Sequence, residues 1–113
     1  NTTASTGATT IYGGAAGATL LITGSAITGN SWSHVALTRQ SGVGTTLWIN
    51  GTRSGAVAVD STSYANSAVY IGTTNLGTYN FSGYISDLRV TKVARYTANN
   101  TSYLNSGSPY FNK

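Results

Sequence analysis

The chain has no cysteine, no methionine and a single proline, and only two of its 113 residues are acidic. Each shortage excludes something. Without cysteine there is neither a disulfide nor a thiolate metal site, and cysteine usage says nothing of the redox compartment. Without an initiating methionine, the chain is expected to be processed or cut from a longer polypeptide. The opening NTTASTGATT has no apolar h-region of a signal peptide. No run approaches the roughly eighteen apolar residues of a membrane span.

The two acids, Asp60 and Asp87, stand on different segments, and there is no glutamate. Glycoside hydrolysis needs paired carboxylates, one as acid and the other as base or nucleophile. A calcium site needs about six to eight oxygens, normally several of them from carboxylates. Neither set can be drawn from two separated aspartates, so we expect no enzyme, no metal and no cofactor. His34 is the only histidine, too few for a His-rich metal site or, without Cys or Glu, a catalytic triad. Its expected role is structural: partly buried and bonded across a sheet near Trp32.

Charge is scarce as well, at 7% of the chain, with a net +4 carried by Arg39, Arg53, Arg89, Lys92, Arg95 and Lys113. Such a weak field can bias encounter with acidic glycans, lipid phosphates or nucleic acid. The groups form no dense Lys/Arg patch. We therefore read the balance as a shortage of acids on a Thr/Ser/Asn surface, with no nucleic-acid partner and no membrane insertion.

What is present is short apolar runs between Gly, Ser and Asn clusters, the pattern of an all-β chain. Residues 1–17 are nearly low-complexity and read as a flexible or partner-dependent arm. ATLLIT (18–23) is the first convincing strand. In WSHVALTRQ (32–40), Val35 and Leu37 share one face, with His34, Ala36 and Thr38 on the other. SGVG (41–44) turns the chain into TTLWIN (45–50), with Leu47 and Ile49 on one face and Trp48 opposite. Asn50-Gly51 is the sharpest local signal, because both central residues of a type I′ turn need positive φ. A hairpin joining TTLWI to TRSGAVAV is expected there. Val57 and Val59 share a parity, as do Val69 and Ile71 with Tyr70 opposite. Leu88 and Val90 share one parity and Ile85 takes the other, so a bulge near Ser86–Asp87 is expected. Residues 104–113 read as an irregular tail.

The order of these blocks is informative: W-S-H-V-A-L-T-R (32–39), L-W-I-N-G (47–51), V-Y-I-G (69–72) and F-S-G-Y-I-S-D-L-R-V-T (81–91). It resembles the laminin-G-like branch of the concanavalin A-like lectin/glucanase superfamily, over roughly residues 18–103. V-A-R-Y-T-A-N (93–99) is similar to the tail of the version found in bacteriophage structural proteins. The resemblance implies an antiparallel jelly-roll β-sandwich. Such domains usually carry several strands before the W-x-H-V block, so this chain is expected to lack its first strands and to need a partner at an apolar sheet edge. The resemblance also gives Asp87 a structural role, bonding to backbone or to a nearby Arg such as Arg89.

Fold alone does not give function. Our expectation is a non-enzymatic, self-associating module of a phage particle, fibre or extracellular filament, located on a virion or outside cells. The alternative is a secreted or virion-borne carbohydrate-binding or adhesion domain. Under either reading, contacts fall to outward aromatics and late basic residues: Trp48, Tyr70, Tyr84, Lys92, Arg95 and Tyr96. Aromatic rings of this kind anchor protein interfaces and stack on sugars. Trp32, His34, Asn50, Gly51, Asp87 and Arg89 are expected to be structural.

Overall fold

A computed structural model describes residues 8–13, 19–65, 68–74 and 76–96. The described residues contain strands and turns and no helix. Strand β1 (Thr10–Gly13) pairs antiparallel with β2 (Thr19–Thr23). A meander of β3 (Val35–Gln40), β4 (Gly44–Ile49) and β5 (Thr52–Arg53) forms a three-stranded antiparallel sheet with β4 in the middle. The fold is thus all-β and antiparallel. Strand β1 lies inside the segment expected to be an arm. Its T-I-Y-G finds a ladder on T-L-L-I-T, with a register irregularity between Ile11 and Tyr12. The segment expected as a tail, 104–113, lies outside the described residues.

The meander follows from its turns. After β3, the Val43 N–H donates to the Gln40 carbonyl at 3.1 Å and closes the first reversal. After β4, Asn50 (φ 49°) and Gly51 (φ 83°) form the two-residue loop, and Ile49 faces Thr52 across it. Both residues sit in the left-handed region that Asn and Gly reach at least cost. Past β5 the ladder continues irregularly, with Leu47 opposite Ser54 and Thr45 opposite Ala58. The return strand therefore takes four steps where β4 takes two, a bulged connection of the kind that bends a strand.

Alternation along β3 and β4 sets two faces. One carries Val35, Leu37, Leu47 and Ile49, and the other Ala36, Thr38, Thr46 and Trp48. The first face meets the β1–β2 ladder, where the chain past β2 runs against the turn after β5. The Ser25 N–H donates to Ser54 Oγ at 2.7 Å, and a Cβ on Gly55 would lie 2.6 Å from the Thr23 carbonyl oxygen. Ile22 and Leu47 are buried there. Val35 and Leu37, on the same face, remain about half exposed.

The runs around Val69–Ile71 and Leu88–Val90 form no ladder among the described residues. A strand acquires its bonds only from a neighbour. Among the described residues, a backbone bond from the Phe81 N–H to the Gly72 carbonyl at 2.7 Å joins the surroundings of these runs. Where the bulge is expected, Asp87 takes φ 59°, a left-handed break in an otherwise extended path.

Candidate functional site

The residues singled out from sequence fall into three places. The first is the interior. Trp48 and Leu47 are both 0% exposed, so β4 is buried on both faces. This corrects the expectation that Trp48 points outward. Parity puts Trp48 opposite Leu47 correctly, but that face is also covered. The Trp48 indole N–H donates to Thr38 Oγ1 at 3.0 Å, satisfying the one polar group of a buried indole. Tyr96 packs edge-on against it, with ring centroids 6.0 Å apart and planes at 66°. Tyr96, expected as a partner contact, is therefore half-buried.

The second place is the start of β3. His34 is half-buried and Asn50 brackets it. The Asn50 Oδ1 accepts the His34 N–H at 2.9 Å, and the Asn50 N–H donates to the His34 carbonyl at 2.8 Å. One side chain thus holds the turn and the strand entrance together. Burial lowers the His34 pKa, while the charge of Asp87 works against that shift. Arg89 has no hydrogen bond or ion pair among the described residues, so the expected Asp87–Arg89 bond does not form there. Trp32, expected to be structural, is 72% exposed.

The third place is a broad apolar surface. Between Val69 and Val93 eleven large hydrophobic side chains are exposed, including Tyr70, Tyr84 (86%) and Val90 (84%). Lys92 and Arg95 are exposed at its C-terminal end. The sequence-expected contacts Tyr70, Tyr84, Lys92 and Arg95 thus share one stretch of surface chain, whereas Trp48 is buried and Tyr96, at the end of that stretch, is half-buried against it.

One cluster was not anticipated from the sequence. Arg39, at the far end of β3, donates to the carbonyls of Asp60 (2.8 Å) and Thr62 (2.6 Å) and lies 5.1 Å over the Tyr64 ring. Asp60 in turn accepts the Tyr64 hydroxyl and, at 3.0 Å, the Thr62 N–H. These bonds, with the Tyr64 contribution first and the Arg39 charge adding to it, lower the Asp60 pKa to about 2. A signal was available: Asp60 with a backbone donor two residues later is the Asx-turn pattern. The Tyr64 hydroxyl also lies where a Cβ on Gly13 would be, 2.5 Å away, so the cluster reaches β1. Its chemistry is that of a fastening, because each polar atom named already serves a neighbour.

Each carboxylate is engaged with its own surroundings, Asp60 with Tyr64, Thr62 and Arg39, and Asp87 through its charge at His34. Among the described residues no three His, Asp or Glu side chains gather as metal ligands would.

No curated protein and no solved structure matches this chain. A family model for the laminin-G-type domain, described as concanavalin A-like lectin/glucanases superfamily, matches residues 2–99, which takes in β1 and every later strand. By that match and its antiparallel all-β fold, the chain belongs to the concanavalin A-like lectin/glucanases superfamily.

Proposed function

We propose that the chain is a non-enzymatic module that works by self-association within an extracellular or virion assembly. The observation that carries this reading is the exposed apolar surface between Val69 and Val93. Seven aliphatic and four aromatic side chains there are each at least 44% exposed. Soluble monomers rarely expose more than a few hundred Å² of contiguous apolar patch. The scarcity of carboxylates, Asp60 and Asp87 alone, supports a role without hydrolysis. The resemblance of V-A-R-Y-T-A-N to the ending of bacteriophage structural domains supports placing the assembly on a phage particle.

The test is molar mass by light scattering across a concentration series. The reading requires mass above that of the 11.6 kDa chain, rising with concentration. A folded species that stays at 11.6 kDa over the whole series refutes it.

A second reading, carbohydrate binding, draws on the outward rings of Tyr70 and Tyr84. Aromatic faces of that kind stack on sugar rings. Tyr84→Ala separates the two. Loss of glycan binding with unchanged molar mass indicates a lectin, and loss of mass indicates an assembly surface.

A further inference from the structure

The hydrogen-bond phase of the meander identifies a specific edge. The Asn50 N–H donates to the His34 carbonyl, which fixes the alternation. At even positions of β3 the backbone groups point to β4, and at Val35, Leu37 and Arg39 they point away from it. The other side of β4 gives the same phase independently. Thr45 exchanges two bonds with Ala58, and the Leu47 carbonyl accepts from Ser54. No described strand lies beyond β3. Val35, Leu37 and Arg39 therefore present a row of N–H and C=O groups with no partner among the described residues.

Natural sheets usually guard such an edge with proline, a bulge or a protruding charge. Here the strand is V-A-L-T-R-Q, regular in register throughout. Its single charge, Arg39, is turned aside onto the Asp60 and Thr62 carbonyls and the Tyr64 ring. Val35 and Leu37 stand half exposed on the face that flanks the edge.

We infer that the β3 edge pairs with the β3 edge of a second copy, antiparallel about a two-fold axis at Leu37, joining two meanders into one continuous sheet. The edge fits its own copy. About that axis Leu37 meets Leu37 of the second copy, and Val35 meets the second copy's Arg39. The two Arg39 side chains are then held apart rather than opposed. Each of these pairs is of the type that exchanges both backbone bonds. Edge pairing alone covers too little for a stable dimer, which needs about 1,200 Å² or more. The apolar surface supplies the remainder. Val35 and Leu37, half exposed on the face that flanks the edge, extend the contact beyond the backbone bonds. This inference rests on the self-association reading and assigns its geometry.

The absence of native cysteine makes the geometry directly testable. Hydrogen-bonded antiparallel pairs hold their Cα atoms about 5.5 Å apart, inside the range of roughly 4.4–6.8 Å that a disulfide spans. Under oxidation the full chain bearing Leu37→Cys is expected to cross-link to a species of twice 11.6 kDa. Thr52→Cys, exposed at the opposite side of the sheet, is expected to stay single. Leu37→Lys sets two ammonium groups against each other at the axis and is expected to weaken dimerisation at least tenfold. An equimolar mixture of Leu37→Lys and Leu37→Glu chains is expected to recover it. Burial of Trp48, read by its fluorescence in a Trp32→Phe background, certifies that each variant is folded. If Leu37→Lys fails that control, the cysteine pair decides alone. A wild-type dimer that Leu37→Lys leaves intact and Leu37→Cys does not cross-link overturns the edge assignment while sparing self-association. A wild-type monomer overturns both.

Discussion

Trp48→Ala is the most decisive single perturbation of this domain. The residue is 0% exposed, touches Tyr96 edge-on, and donates its indole N–H to Thr38. Truncating a fully buried tryptophan costs about 3–5 kcal/mol. The edge-on aromatic pair accounts for about 0.5–1.5 kcal/mol of interaction beyond burial. A chain of 113 residues has a total stability of roughly 6–17 kcal/mol at usual values per residue. The loss is then from about a fifth to most of the total. With a urea slope of about 2 kcal/mol per molar, the midpoint falls by roughly 2 M. Far-UV circular dichroism follows the transition in Trp48→Ala, where the fluorescent reporter is gone. Thr38→Val examines the same site more gently. It strands a buried indole N–H and is expected to cost about 1–3 kcal/mol. In combination with Trp48→Phe, which removes the donor, the cost of Thr38→Val should shrink. If Trp48→Ala moves the midpoint by less than the equivalent of about 1 kcal/mol, the claim that β4 is covered on both faces is wrong.

Other outcomes follow from the turns and the fastening. Gly55→Ala places a side chain at φ 79° against the Thr23 carbonyl, and should lower stability by about 2 kcal/mol or more in the same denaturation assay. Gly51→Ala, at φ 83° with the Asn50 turn otherwise intact, should cost about 1–2 kcal/mol. Asp60, whose pKa is lowered to about 2, contributes stability that is fully present above the ordinary carboxylate value. That contribution should fade as pH falls below about 4 and vanish once it passes through about 2. Asp60→Asn should flatten the acid limb of the stability profile, and an Asp60 carboxyl titrating near 4 by NMR would contradict the bonds from Tyr64 and Thr62.

The parts legible in the sequence were those with local causes. Asn50-Gly51 specifies its turn through backbone sterics, so the β4–β5 hairpin follows from two residues. The pairing of Leu47 with Ile49 and the opposition of Trp48 follow from a period of two. Parity, however, tells which residues share a face and not which face is covered. Tyr96 packs on Trp48 from 48 positions along the chain, and no local pattern announces a contact so remote. The reverse holds for Val35 and Leu37, whose alternation matches a core strand yet whose face is only partly covered. Around Val69–Ile71 and Leu88–Val90 the alternation is clear, yet no ladder forms among the described residues, because pairing depends on a neighbour rather than on the run itself. The Arg39–Asp60–Tyr64 fastening is not legible as a whole, because Arg39 lies 21 residues from Asp60 and only the Asx-turn spacing of Asp60 and Thr62 is local.

The meander also bears on how the chain reaches its fold. The three strands β3, β4 and β5 lie within twenty residues of one another and are joined by two tight reversals. Their contacts close short loops, for which the entropic cost is low and formation fast. The contacts to β1–β2 and to Tyr96 close much longer ones. The meander is thus suited to condense early and serve as a template on which both ends of the chain later dock. Backbone amides at Thr45 to Trp48 should then be the slowest to exchange with solvent, and those between Val69 and Val93 among the fastest in the isolated chain.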